Sequence, residues 1–73
     1  MAEVKVFFDA EANTLTIWFG DPKQEYICEE TGDEVVLMKD RAGHVIGIER
    51  LNFSPSDATP VRVAFETLSR PVR

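Results

Sequence analysis

Apolar and polar residues alternate with a period of two along most of this chain, the periodicity of strands. In EVKVFF, residues 3–8, Val4, Val6 and Phe8 share one face, with Lys5 and Phe7 on the other. In TLTIWF, residues 14–19, Leu15, Ile17 and Phe19 oppose Thr14, Thr16 and Trp18. The polar DAEAN between them, with Asn13 suited to a left-handed or side-chain-capped turn, makes the pair a hairpin. GDPK at 20–23 then breaks the chain, because Pro22 fixes its own φ. EYICEE is a shorter, acid-flanked strand and TGDE a turn. EVVLMK is apolar on both faces, which fits a central or doubly covered strand. DRAG turns again, with Gly43 the left-handed residue. HVIGIE puts Ile46 and Ile48 on one face and Val45 and Gly47 on the other. Gly47 sits mid-strand, where glycine costs stability and marks a bulge or a close backbone approach.

The pattern predicts a mainly β chain: a small antiparallel β-meander of five to six short strands over residues 1–51, with sequential neighbours paired. NFSPSDATP, residues 52–60, is a breaker-rich loop. Residues 61–68, VRVAFETL, read as a strand or a short helix. Val61, Val63 and Phe65 alternate, while Val61, Ala64, Phe65 and Leu68 fit a helical face behind Thr59-Pro60. SRPVR completes the 61–73 segment, and 73 residues make one domain.

Such a sheet is apolar on both sides. Val4, Val6, Phe8, Leu15, Ile17, Phe19, Ile46 and Ile48 form an inner face, while Phe7, Trp18, Val36, Met38 and Val45 gather on the outer one. Grouped apolar residues of this size mark interfaces, and without a long helix one chain does not cover both faces of a twisted sheet. A homo-oligomer, specifically a two-fold dimer through Phe7, Trp18, Val36, Met38 and Val45, is the expectation.

Charge narrows the partners further. Thirteen acidic residues oppose eight basic ones, for a net charge of -5. That balance repels phosphate backbones and argues against nucleic acid, while it suits a basic protein partner. No apolar run reaches the ~18 residues of a membrane span, and MAEVKVFFDAE lacks the features of a secretory leader. Cys28 is the only cysteine, which fits a reducing cytoplasm.

Little chemistry is legible. His44, the only histidine, is a candidate general base by residue type, but a polar residue after a turn glycine is ordinarily just exposed. Glu49, beside Arg50, is the other candidate for a polar site, and the two side chains suit ion pairing across strands. Cys28 between acidic neighbours reads as a small buried filler, not a nucleophile. Asp9 and Glu11 share a loop without the spacing of a calcium site. No phosphate-cradling loop, nucleophile elbow or dinucleotide fingerprint is present. No catalytic, cofactor-binding or metal-ligating set is assigned, and no cofactor is implied.

VKVFFDAEANTLTIWF and VVLMKDRAGHVIGIERLNFS, together spanning residues 4–54, resemble the two hairpins of a family of short bacterial proteins, the domain-of-unknown-function family numbered 2283. Asn13 stands where that family usually has Asp, and Thr16 where it usually has Tyr. The resemblance implies a small β-rich domain. Because some members are encoded beside small ribonuclease-like toxin genes, it also implies an antitoxin role for those members. The functional expectation is a cytoplasmic, non-enzymatic protein–protein interaction module, with an antitoxin-like neutraliser of a basic partner as its specific form. The alternative is a small ligand-binding or hydrolytic protein whose site, built from His44 and Glu49, forms across a dimer interface.

Overall fold

Five antiparallel strands form one sheet: β1 (Lys5–Asp9), β2 (Thr14–Trp18), β3 (Ile27–Glu30), β4 (Val35–Lys39) and β5 (Val45–Arg50). The computed structural model describes residues 3–54 and 60–69. The strands stand where the period-two runs predict them. Asn13, with φ 58°, and Gly43, with φ 89°, supply the left-handed turns. Asp9 and Asp40 fold back on their own loops, each accepting two backbone N–H groups through Oδ1.

The strand order is β1-β2-β5-β4-β3, so the meander is interrupted once. β2 pairs with β5 in place of its sequence neighbour β3. The connection from Phe19 to Tyr26 runs along one end of the sheet, past the ends of β5 and β4. It is stitched to them where the Phe19 and Gly20 N–H groups donate to the Ile46 carbonyl and the Tyr26 N–H donates to that of Lys39. A short 3-10 turn at Pro22–Gln24, capped by Asp21, compacts it. Composition explains the placement. β3 carries Glu29 and Glu30 on opposite faces, a combination tolerated at an edge. β5 offers two isoleucines and a glycine, which suits the centre.

The segment 61–68 forms neither strand nor helix. Eight residues are too few for a helix to hold itself in water, and no sheet edge pairs with them. Val63, Phe65 and Leu68 stay largely exposed, Phe65 at 83 %. Of the predicted loop 52–60, residues 55–59 lie outside the described residues.

Pairing fixes the two faces. Val6, Phe8, Leu15, Ile17, Val35, Leu37 and Ile48 share one, here called the apolar face. Phe7, Thr16, Trp18, Gly47, Glu49, Val36, Met38 and Cys28 share the other, the groove face. A register shift at Met38/Lys39 brings Val45, not Ile46, opposite Lys39. Among the described residues no second layer covers either face. Only Met38 (4 % exposed) and Ile46 (9 %) count as buried apolar residues among those described. The radius of gyration, 14.5 Å, exceeds the about 11 Å of a compact chain of this length.

Chain packing is completed by a lock after β5. The Asn13 Nδ2 donates to the Ser54 carbonyl at 2.8 Å, and its Oδ1 accepts the Ser54 N–H at 2.9 Å. The Phe53 N–H donates to the Asn13 carbonyl, and the Phe53 ring meets Phe8 edge-on at 5.9 Å. At the same end of the sheet, Glu34 and Asn52 both hold positive φ, and the Asn52 Nδ2 donates to the Glu34 carboxylate at 2.8 Å.

Candidate functional site

A shallow groove of about 290 Å³ crosses the groove face, lined by Phe7, Thr16, Trp18, Glu25, Cys28, Val36, Met38 and Glu49. It collects four of the five predicted interface residues, Phe7, Trp18, Val36 and Met38. Val45 lines no part of it, because the register shift next to Gly47 takes Val45 out of phase with Gly47. A larger hollow of about 400 Å³ lies beyond the β1–β2 end, between Glu3, Lys5 and the Phe19–Lys23 loop. It lacks converging strand residues.

Gly47 shapes the groove floor. A Cβ there would stand 2.6 Å from Trp18 Cε3 and 3.1 Å from Met38 Cε. The missing side chain lets the indole and the thioether close over the backbone of β5, and Met38 becomes the most buried apolar residue. The sequence pattern marked Gly47 for a bulge or a close approach, and both occur.

Glu49 sits in the middle of this surface, half-buried, with Thr16 opposite on one side and Val36 on the other. Among the described residues its carboxylate has no cationic partner and accepts no hydrogen bond. Arg50, its neighbour, points to the opposite face and pairs with Glu34 at 3.5 Å, so of the two side chains suited to ion pairing across strands Arg50 finds a partner and Glu49 does not. An apolar floor beneath an unpaired carboxylate favours a cation that carries its own apolar stem.

His44 is elsewhere. Its ring is 78 % exposed on the β4–β5 turn, with Nδ1 3.4 Å from Asp40 Oδ2. It lies five residue steps from Glu49, about 16 Å along the strand, so the two form no joint site within one chain. The backbone N–H of His44, foremost, and that of Ala42 hold the Asp40 carboxyl below its usual range.

Cys28 departs from the buried-filler expectation: it is exposed at the groove rim on edge strand β3. The expectation failed because β-forming neighbours do not distinguish an edge from the centre of a sheet. Its thiol donates to the Glu25 carboxylate, and that bond, with the slight burial and the charges of Glu25 and Glu49, pushes the thiol above its ordinary value. A raised thiol pKa favours the neutral form in the folded state. Its contribution is therefore present below the unfolded value of 9.0 and is lost as pH rises through the folded value. Iodoacetamide at pH 8 should alkylate Cys28 several-fold more slowly than free cysteine, despite its exposure, and Glu25→Gln should restore much of the rate. Alkylation of the native chain at the rate of free cysteine would refute this.

Among the described residues no group of three His, Cys, Asp or Glu side chains is placed to hold a metal ion, and no helix is long and apolar enough to cross a membrane. No curated protein and no solved structure matches the chain significantly. A family model does: residues 5–54, the whole sheet with its Asn13–Ser54 lock, match the family described as "Protein of unknown function (DUF2283)", and the chain belongs to that family.

Proposed function

We propose that this protein is a non-enzymatic interaction module whose groove face receives a basic protein partner, in the manner of an antitoxin-like neutraliser. The observation that carries the reading is Glu49: a half-buried carboxylate without a cation, set between Trp18, Met38 and Phe7. An arginine or lysine from a partner would place its stem on the indole and its charge at Glu49. Glu25 and Glu30 extend the same sign across this face, where Lys5 is the one opposing strand cation among the described residues. A field of one sign speeds encounter with a partner of the other. An exposed thiol held in its neutral form is at home in a reducing cytoplasm.

The test is differential capture. Wild-type and Glu49→Lys chains, immobilised in parallel, are exposed to the same bacterial lysate. Proteins retained by wild type and lost by the variant should be basic, with affinity reduced about tenfold or more by the reversed charge. A captured set that is acidic, or the same on both chains, would contradict the reading.

A further inference from the structure

We propose that the apolar face is the seat of a second copy of this chain, and that the folded unit in solution is a two-fold, face-to-face sandwich of two five-stranded sheets with both grooves outward. This rests on observations separate from those at Glu49 and stands whether or not the groove binds a basic partner.

A sheet with one strongly apolar face needs a second layer, and among the described residues this chain supplies none. Segment 60–69, described outside the sheet, holds Val63, Phe65 and Leu68 in solvent. Exposed area carries the same message. The chain exposes 6291 Å², whereas a compact monomer of 8.2 kDa exposes about 4,500 Å². The bare sheet contributes to that excess: Val6 and Ile27, both on its apolar face, are 37 % and 52 % exposed.

Charge decides which face meets its own copy. In a two-fold contact a surface meets itself. On the groove face, Glu49 and Glu25 would approach their own counterparts, burying like charges. On the apolar face the charges are already matched: Lys39 is paired with Glu29, and Arg50 with Glu34 at 3.5 Å. That face is close to neutral, with aliphatic centres at Ile17, Leu37 and Ile48. The alternation of the sequence placed the second copy on the Phe7 and Trp18 side; the distribution of charge moves it across the sheet. Edge-to-edge pairing through β3 is opposed by Glu29 and Glu30.

Light scattering on the full chain at tens of micromolar tests this. Wild type should give twice 8.2 kDa. Val6→Lys combined with Ile27→Lys should halve that mass with the far-ultraviolet β spectrum intact, because both residues are substantially exposed in the single chain. Trp18→Asp and Phe65→Asp should leave the dimer mass unchanged. A second measurement covers failure of the lysine variant to fold. A soluble paramagnetic agent should broaden the Trp18 indole signal of the wild type while sparing the Val6 and Ile27 methyl signals. A wild-type mass of 8.2 kDa, dissociation by Trp18→Asp or Phe65→Asp, or broadening of the Val6 and Ile27 methyls would overturn the proposal.

Discussion

Gly47→Ala should destabilise the protein by about 2 kcal/mol, lowering the melting temperature by roughly 10 °C in a domain this small. In an ordinary strand this substitution gains about 0.5–1 kcal/mol, since glycine loses the most backbone freedom on folding. Here the sign reverses. The new methyl would meet Trp18 Cε3 at 2.6 Å and the Ile17 carbonyl oxygen at 3.1 Å. The carbonyl is backbone in the β2–β5 ladder and does not yield, so the indole has to swing outward, and with it the groove floor over Met38. Overpacking of this kind costs about 1–3 kcal/mol, a large share of the ~3–5 kcal/mol that one small core supplies. Thermal melts followed by tryptophan fluorescence check both parts, because a displaced indole shifts its emission to the red. A melting temperature equal to or above that of wild type would show that Gly47 is not packed as described.

The second large effect is expected at Asn13. Asn13→Ala should cost about 3 kcal/mol: two hydrogen bonds to a nearly buried Ser54 backbone, at 2.8 and 2.9 Å, and a β-carbon forced to hold φ 58°. Asn13→Gly keeps the dihedral and loses only the bonds, so it should cost less than Asn13→Ala. Asn13→Asp is the sharper test. The carboxylate still accepts from the Ser54 N–H but cannot donate to the Ser54 carbonyl, so it places two oxygens in opposition. That loss should be about 1–3 kcal/mol near neutrality and should shrink below the carboxyl pKa, where the protonated acid donates again. Equilibrium unfolding across pH 3 to 7 checks it; equal stability of the Asn and Asp forms at pH 7 would sink the account of the lock.

These two residues also show how far the sequence could be read. Asn13 and Gly43 were legible as left-handed because those residue types tolerate positive φ. Glu34 was not, since glutamate carries no such signal. Its conformation depends on Asn52 and Arg50, which are distant in sequence. Alternation placed every strand, yet it could not see that β5 slides between β2 and β4. Pairing order is set by the Phe19–Tyr26 connection and its hydrogen bonds to Ile46 and Lys39, and such contacts leave no local period. The groove was half visible: Phe7, Trp18, Val36 and Met38 followed from face assignment, whereas Val45 fell to a one-residue register shift that periodicity does not encode. Glu49 was singled out but grouped with His44; only the pairing of β5 with β2 and β4 puts it among the aromatic residues, far from the histidine turn. Thr16, small and beside that carboxylate, leaves the groove open there.

The proposed seat for a cationic side chain, the Glu49 carboxylate over its apolar floor, is checked by nuclear magnetic resonance titration of the full chain with the acetylated, amidated tripeptide Arg-Leu-Arg, beside its Glu-Leu-Glu counterpart. Saturable shifts are expected at the Trp18 indole and the Glu49 amide with the arginine peptide alone, weakened by salt and lost in Glu49→Lys. Equal shifts with the acidic peptide, or none at these two residues at millimolar arginine peptide, would contradict it.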